Sequence, residues 1–277
     1  MQVTDLTPVQ MKEGLLFKRD DLYTLRDIHG VNGGKLRQCV MLVDKVKDKY
    51  DGICTYASLG SPQTAITAAV AQSFGKPFTA FYGGTSREHL MKNQMSRYVM
   101  KYGGRIVIGA RTGRHNVLHK VADEYAKKHN YFVVQYGINI SDYEDVLIGA
   151  VANQVQNIPD IKNLVAVCGS GITASGILVG LKMYGKNIEN VHLVATAPDR
   201  REFIHATASK HNADRKIEYH SLFHQKGFNY DDEVKAVYGG ITLHPNYEAK
   251  AMQWFLNSNL KKDETLFWIT GAKPRRI

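Results

Sequence analysis

A glycine-rich turn at residues 169–176, Gly-Ser-Gly-Ile-Thr-Ala-Ser-Gly, contains residue types that bind anions. It follows the apolar run LVAVC and leads into a segment with helical periodicity. Backbone N–H groups converge at the start of a helix, and the helix dipole contributes roughly half a positive charge there. Because the Thr173 hydroxyl can donate a further hydrogen bond, the turn predicts a binding site for a phosphate monoester.

Two alternatives remain for this turn. Gly169, Gly171 and Ala174 also satisfy the G-x-G-x-x-A pattern of dinucleotide sites, which is a weak signal by itself. Such a site expects an acidic residue at the end of the next strand, yet the run VHLVATAP ends without one and Asp199 comes only after the proline. A tight strand-to-helix turn without a ligand is the other alternative, and the glycines and hydroxyls together favour the phosphate.

Lys35 is the residue best suited to amine chemistry. It follows Asn32-Gly33-Gly34 and precedes the apolar segment LRQCVMLVDKV, which predicts a buried helix. Glycines let the backbone approach a ligand closely, and a buried helix can desolvate the ammonium and favour its neutral, nucleophilic form. Taken alone, the pattern still favours an ordinary surface lysine, because most lysines are solvated.

A third turn, residues 57–64 with the sequence ASLGSPQT, follows the apolar run GICTY and also precedes a helical segment. All three turns depend on the elements around them. Runs typical of buried strands alternate with runs of helical periodicity, which predicts right-handed βαβ units and parallel sheets. The predicted strands are 52–56, 78–82, 105–108, 131–134, 164–167 and 191–195, and the predicted helices are 63–74, 87–102, 114–129, 143–157 and 173–184. Ligands bind such sheets beyond the carboxyl ends of the strands.

The composition of the 277 residues predicts a globular protein, and its charge favours a polyanionic partner. Lys plus Arg number 36 against 26 Asp plus Glu, giving a net charge of +10, and such an excess attracts phosphates. The basic residues cluster, but no basic helix, zinc finger or aromatic RNA-binding motif accompanies them, so simple solubility is the alternative. The clusters are Arg111, Arg114 and Lys120; Arg200 and Arg201; Lys210, Arg215 and Lys216; and Lys273, Arg275 and Arg276. Cys39, Cys54 and Cys168 are widely separated in apolar surroundings, which predicts buried thiols and neither disulfides nor a metal site.

The order of these motifs resembles one family over nearly the whole chain. The runs LFKRDDL (16–22) and NGGKLR (32–37) resemble the opening of the tryptophan-synthase-β-like, or fold-type-II, enzymes that use pyridoxal 5′-phosphate (PLP). The branch that contains aminocyclopropane-carboxylate deaminase and D-cysteine desulfhydrase is the most similar. Further stretches resemble family landmarks in the same order: SLGSPQTAITAAVAQSFGKP, YVMKYGGRIVIG, GSGITASGILVGL, GITLHPNYEAKAM and LFWITGA.

The resemblance implies an α/β fold of two lobes, each with a mainly parallel twisted sheet flanked by helices. We expect a large PLP-binding domain at 1–42 and 142–277 and a small domain at 43–141. The resemblance implies that Lys35 holds PLP as a Schiff base and then moves protons at Cα or Cγ of the substrate. It assigns the phosphate to Gly169, Ser170, Gly171, Ile172 and Thr173, the pyridine nitrogen to Thr270, and a substrate carboxylate to Ser58, Gly60, Ser61, Gln63 and Thr64.

Two of these assignments have structural alternatives. Tyr238 resembles an active-site tyrosine of the deaminase branch, and the alternative is a packed surface aromatic. Thr270 can equally be a strand residue whose hydroxyl bonds to backbone. Pro62 stands where relatives carry an asparagine beside the cofactor's phenolic oxygen, so this chain departs from the family pattern there.

Three functional hypotheses follow. The chain is a PLP-dependent lyase that acts by elimination, deamination or decarboxylation on an α-amino-acid group, here one carried on a modified thymine of bacteriophage DNA. It is alternatively a deaminase or desulfhydrase of a free small amino acid, or a relative that binds PLP or nucleic acid without turnover. The charge, the short chain and the changed carboxylate turn favour the first. We expect a homodimer in the cytoplasm, that of the host if phage-encoded, with DNA contacts through the basic surface and no membrane segment.

Overall fold

Buried β-rich runs and helices alternate in the computed structural model, which describes residues 2–25, 30–138, 140–229 and 232–271. The strands are β1 (Val9–Lys12), β2 (Leu15–Arg19), β3 (Gly52–Tyr56), β4 (Phe78–Gly83), β5 (Arg105–Ala110), β6 (Tyr131–Val134), β7 (Ile161–Cys168), β8 (Ile188–Ala195), β9 (Glu218–Ser221), β10 (Val237–Tyr238), β11 (Ile241–Thr242) and β12 (Thr265–Ile269). The helices are α1 (Gly34–Val46), α2 (Gln63–Ser73), α3 (Arg87–Lys92), α4 (Gln94–Lys101), α5 (His115–His129), α6 (Glu144–Ala152), α7 (Ile172–Met183), α8 (Arg201–Lys210) and α9 (Glu248–Leu256).

One unit, Thr24–Val146, is built on a four-stranded sheet. The strand order is β5-β4-β3-β6, and every neighbouring pair is parallel. Helix α5 packs its apolar face on this sheet, where Leu118 and Ala122 contact Cys54 and Phe81. Because all four strands run in one direction, the turns that follow them lie on the same edge of the sheet.

The other unit, Gln2–Tyr23 and the described residues from Leu147 onward, is built on a six-stranded sheet. The order is β1-β2-β12-β7-β8-β9, with β1 antiparallel to β2 and the remaining pairs parallel. Helices α7 and α8 contribute Leu178 and Ile204 to the core on one face, and α9 contributes Phe255 to the core on the other. Both faces are covered, as parallel sheets require.

The six predicted strands are all present, and the predicted α/β class with two mainly parallel sheets is confirmed. One predicted helix, 87–102, is wrong as a single element because it divides at Asn93. The Asn93 side chain accepts hydrogen bonds from the N–H groups of Met95 and Ser96 at 2.9 and 3.2 Å, which caps a new helix, α4. The three cysteines are free and buried, as predicted.

The units divide after Tyr23 and after Val146, whereas the sequence predicted divisions after residues 42 and 141. Helix α1 packs against α2, and the Cys39 thiol lies 4.0 Å from the Thr67 hydroxyl. The structure therefore groups α1 and its Lys35 with the four-stranded sheet, while the prediction had placed them in the larger domain.

Glycine in α7 allows close packing against α6, and this generates a stability prediction. A Cβ atom on Gly176 would lie 2.5 Å from Val151 Cβ, whereas one on Gly149 would meet no atom within 4 Å. We expect Gly176→Ala to lower the free energy of unfolding by about 1–3 kcal/mol through overpacking. Gly149→Ala, the matched control, is expected to raise it by roughly 0.5–1 kcal/mol, as removing a helical glycine does. Urea unfolding measures both, and equal effects would contradict the packing argument.

Candidate active site

The glycine-rich turn lies at the carboxyl end of β7, where it forms the cradle that the sequence predicts. Gly171 precedes α7 with φ +93°, and a Cβ atom there would lie 2.7 Å from the Phe203 ring. Glycine is therefore required at position 171, both by the positive φ and by the nearby Phe203 ring. No side chain caps this helix, so the N–H groups of its first turn are left for a ligand. A Cβ on Gly169 would meet nothing within 4 Å, which leaves room above the turn.

Thr270 lies one strand away from this cradle. In the parallel pairing of β12 with β7, Trp268 is opposite Ala166, and continuing that register places Thr270 next to Cys168. The Thr270 hydroxyl is buried and has no hydrogen-bond partner within the part of the chain that the structure describes. The alternative of a hydroxyl bonded to backbone does not apply there, and the hydroxyl remains available to a ligand.

Glu248 is a site residue that the sequence analysis missed. It begins α9 and is 2% exposed, and its Oε1 accepts hydrogen bonds from the N–H groups of Thr270 and Gly271, both at 3.1 Å. Its Oε2 has no partner among residues 2–25, 30–138, 140–229 and 232–271. Burial raises the pKa of this carboxyl to about 7, although three backbone N–H groups oppose the shift. The sequence offered no signal, since an acid in the first turn of a helix is ordinary.

Lys35 lies in the other unit, in the first turn of α1. Gly33 precedes the helix with φ +97°, and its carbonyl accepts hydrogen bonds from the N–H groups of Leu36 and Arg37 at 3.0 and 3.3 Å. Lys35 is half-buried, while Leu36 and Cys39 behind it are fully buried. The paired glycines thus give the lysine its position at a helix start. Its burial favours the amine interpretation over a solvated surface charge.

The carboxylate turn, residues 58–64, follows β3 in the same unit as Lys35. Ser58 and Gly60 are exposed, and Ser61 donates its N–H to the Ser58 carbonyl at 3.0 Å. Ser61 is 9% exposed and its hydroxyl lies 3.4 Å from the Gln63 N–H. Ser58 and Gly60 are therefore at the surface end of the turn, and the buried Ser61 lies beside the start of α2.

Gln63 and Thr64 point into the protein. The Gln63 amide nitrogen donates to the carbonyl of Gln135 at 2.8 Å, and its oxygen accepts from the N–H of Gly137 at 2.7 Å. The Thr64 hydroxyl accepts from the Tyr82 hydroxyl at 2.9 Å. Because both side chains make hydrogen bonds inside the protein, only the backbone N–H groups of these residues can bind an anion.

The structure places Tyr238 away from the glycine-rich turn and Thr270 of its own unit. Its ring is 7% exposed and packs on Phe17 with centroids 5.6 Å apart. Its hydroxyl lies 3.4 Å from the Glu13 carbonyl, and the Lys262 ammonium lies 5.2 Å above its ring. Glu13 and Lys262 precede β2 and β12, so the hydroxyl is at the amino edge of the sheet, whereas Thr270 is at the carboxyl edge. The packed-aromatic alternative describes Tyr238, and the catalytic assignment has no geometric support.

Comparisons with known proteins agree with this architecture. No family model matches the chain. An O-seryl-dTMP PLP-dependent decarboxylase of Salmonella phage ViI is 25% identical, over 93% of this chain and 78% of that protein. The structure of an ACC deaminase homologue covers 99% of this chain and 91% of its own, at 18% identity and a TM-score of 0.76. Threonine deaminase isoform 2 of Solanum lycopersicum covers 99% and 82%, at 14% identity and a TM-score of 0.65.

The chain has the fold of the fold-type-II PLP enzymes. The resemblance stated from its motifs is confirmed, with 93% of the chain matching the phage protein and 99% matching the ACC deaminase homologue. In this chain the glycine-rich turn, Thr270 and Glu248 belong to one unit, and Lys35 and the carboxylate turn belong to the other.

The raised pKa of Glu248 predicts how the free energy of unfolding changes with pH. Its carboxyl ionises near 4.5 when unfolded and near 7 when folded, so between these values the folded protein retains a proton that the unfolded chain has released. Stability from this group therefore falls as the pH rises from about 4.5 to about 7. Glu248→Gln keeps the acceptor for the N–H groups of Thr270 and Gly271. As the pH rises from about 4.5 to about 7, we expect its free energy of unfolding to increase by roughly 3 kcal/mol relative to that of the wild type.

Urea unfolding between pH 4 and 8 measures this difference. Glu202→Gln is the matched control, because Glu202 is exposed in the first turn of α8 in the same unit. It is expected to keep the wild-type slope. A Glu248→Gln profile parallel to the wild type would contradict the buried-carboxyl argument.

Proposed function

We propose that this chain is a PLP-dependent lyase that removes CO₂ from an α-amino-acid group carried on a thymine nucleotide. The observation that carries the proposal is its similarity, along 93% of its length, to a phage protein named for that reaction. The deamination of a free small amino acid is the competing activity. The shared fold alone does not decide between them, because one fold serves many reactions.

The residues of the six-stranded unit fit PLP. The first turn of α7, which has no side-chain cap among the described residues, suits the phosphate together with residues 169–173, and Gly169 leaves open space beside it. The buried hydroxyl of Thr270, unpaired in the described chain, suits the ring nitrogen. When bound, PLP withdraws electrons from the bond that breaks at Cα. Glu248 fixes the backbone of Thr270 and Gly271 and so orients that hydroxyl.

The residues of the four-stranded unit supply the reacting groups. Lys35 would supply the amine that holds the cofactor, and its side chain, protonated as an ammonium, would deliver a proton to Cα after CO₂ departs. The carboxylate turn offers the Ser58 and Ser61 hydroxyls and the N–H groups at the start of α2 to the amino-acid carboxylate. Loss of CO₂ requires one orientation of the bond between Cα and the carboxylate, so this turn would act by orienting the carboxylate.

We further propose contact with DNA through the basic surface, a homodimer, and a location in the cytoplasm of a phage host. Arg111, Arg114 and Lys120 are exposed and make no ion pair with the described carboxylates, whereas Arg201 and Lys216 are paired with Asp199 and Glu218 at 2.6 and 2.7 Å. The cluster at 273–276 lies outside the described residues. No helix in the described ranges is both long and apolar enough to span a membrane.

Lys35→Ala tests the proposal directly. The purified wild type is expected to show an absorbance band near the visible edge and to release CO₂ from an O-seryl thymidine nucleotide. Lys35→Ala is expected to lose the band and at least about 100-fold in rate, since it lacks both the anchor and the proton carrier. Lys45→Ala is the matched control, because Lys45 is exposed on the same helix.

Each other outcome has a defined meaning. A wild-type protein that stays colourless with added PLP would contradict the cofactor assignment. If the enzyme deaminates free D-cysteine or aminocyclopropane carboxylate and releases no CO₂ from the nucleotide, the proposed decarboxylation is wrong and the competing deaminase activity is supported.

A further inference from the structure

An aromatic platform lies in the four-stranded unit and consists of Tyr56, His115, His119 and Tyr136. The rings of His115 and Tyr136 are 4.0 Å apart at an angle of 35°, and Tyr56 stacks on His119 at 5.4 Å and 26°. His115 and His119 are one turn apart on α5 and share a face. Tyr56 ends β3 and Tyr136 follows β6, so both belong to the carboxyl edge of the sheet.

The exposure of the platform distinguishes it from an ordinary core cluster. Tyr136 is 39% exposed, while Tyr56 beneath is 5% exposed. One buried ring, Tyr56, and two partly buried histidine rings thus support one large ring that faces solvent. Burial lowers the pKa of His115, so its imidazole is neutral near pH 7, and its Nδ1 has no partner among the residues that the structure describes. Neutral flat rings suit stacking against a nucleobase.

Gln63 holds the platform beside the carboxylate turn. Its amide group bonds to the backbone on both sides of Tyr136, at the Gln135 carbonyl and the Gly137 N–H. Gln63 itself is the first residue of α2, immediately after the turn. The segment 136–138 also contacts α1, the helix that carries Lys35. The platform, the carboxylate turn and the lysine helix are therefore neighbours within one unit.

Positive charge lies next to the platform. Arg114 directly precedes His115, is exposed, and makes no ion pair with a carboxylate in the described ranges. A guanidinium free of internal partners, next to stacked aromatic rings, combines the two groups that recognise a base and its phosphate.

We infer that the aromatic platform stacks the thymine base of the substrate on Tyr136 while Arg114 contacts the nucleotide phosphate. This inference rests on the proposed function and names the part of the protein that reads the nucleotide. Base and amino acid are then held at adjacent places on one sheet edge, with the carboxylate turn taking the amino-acid end. The same surface accepts a mononucleotide or one nucleotide of single-stranded DNA.

Binding of nucleotide without the amino acid tests the inference separately from the chemistry. Calorimetric titration of the PLP-loaded enzyme with dTMP, and with a thymine-containing single-stranded oligonucleotide, is expected to give about 10-fold weaker binding for Tyr136→Ala. Tyr136→Phe retains the ring and is expected to bind as the wild type does. With the O-seryl nucleotide, Tyr136→Ala is expected to lower kcat/KM by at least a similar factor, because the base both binds and orients the substrate.

Arg114→Gln provides a second variant that does not alter the platform. It is expected to weaken the binding of both dTMP and the oligonucleotide and to reduce the salt dependence of that binding. Arg97→Gln removes an exposed charge from α4 and is expected to change neither the affinity nor the salt dependence. Tighter binding of the oligonucleotide than of dTMP would identify DNA as the source of the nucleotide, and equal binding would identify the free nucleotide.

The two proposals fail in different ways. A wild type that binds neither dTMP nor the oligonucleotide, or a Tyr136→Ala variant that binds them normally, would overturn the platform assignment whatever the reaction is. Nucleotide binding that depends on Tyr136, with no release of CO₂, would leave the platform in place and overturn the decarboxylase proposal.

Discussion

Parallel pairing of β7 with β12 decides where the chemistry of the six-stranded unit can lie. Because the two strands run in the same direction, the turn after β7 and Thr270 after β12 reach the same edge, although about a hundred residues separate them in the chain. The same constraint excludes Tyr238. Its hydroxyl meets groups that precede β2 and β12, and parallel strands put such groups at the opposite edge. The direction of the strands thus determines at which edge of the sheet each candidate residue lies.

Buried polar side chains in this protein differ in whether they have hydrogen-bond partners within the described chain. Gln63 is buried, and both its amide nitrogen and its oxygen are bonded to the neighbouring segment. Lys18 is also fully buried, with its ammonium 2.6 Å from both the Thr7 carbonyl and the Asn157 side chain. By contrast, Glu248 Oε2 and the Thr270 hydroxyl are buried and unpaired in the described chain. An unmade bond costs about 1–3 kcal/mol, and these two atoms lie at the sheet edge to which the proposed function assigns the cofactor.

The sequence predicted the sheets because strands with continuous apolar runs need only local pattern to be recognised. It also placed Lys35 and residues 169–173 at helix starts, where glycines force the geometry. It did not predict the inward orientation of Gln63 and Thr64, since side-chain direction at a helix start depends on the neighbouring strand β6. Glu248 was missed for a related reason: its partners, Thr270 and Gly271, are more than twenty residues away, and no local pattern connects them.

Under the proposed function, the carboxylate turn and the nucleotide surface divide the binding of the substrate between them. A decarboxylase gains nothing from holding the carboxylate tightly, because that interaction is lost as CO₂ forms and stabilises the ground state more than the transition state. In this chain Gln63 and Thr64 are withdrawn from the turn, and Pro62, which has no N–H to donate, stands at its end. Affinity must then come from a part of the substrate that does not react. In the inferred site a base stacked on Tyr136 and a phosphate on Arg114 would supply it, and they would orient the amino acid for bond cleavage without opposing the loss of its carboxylate.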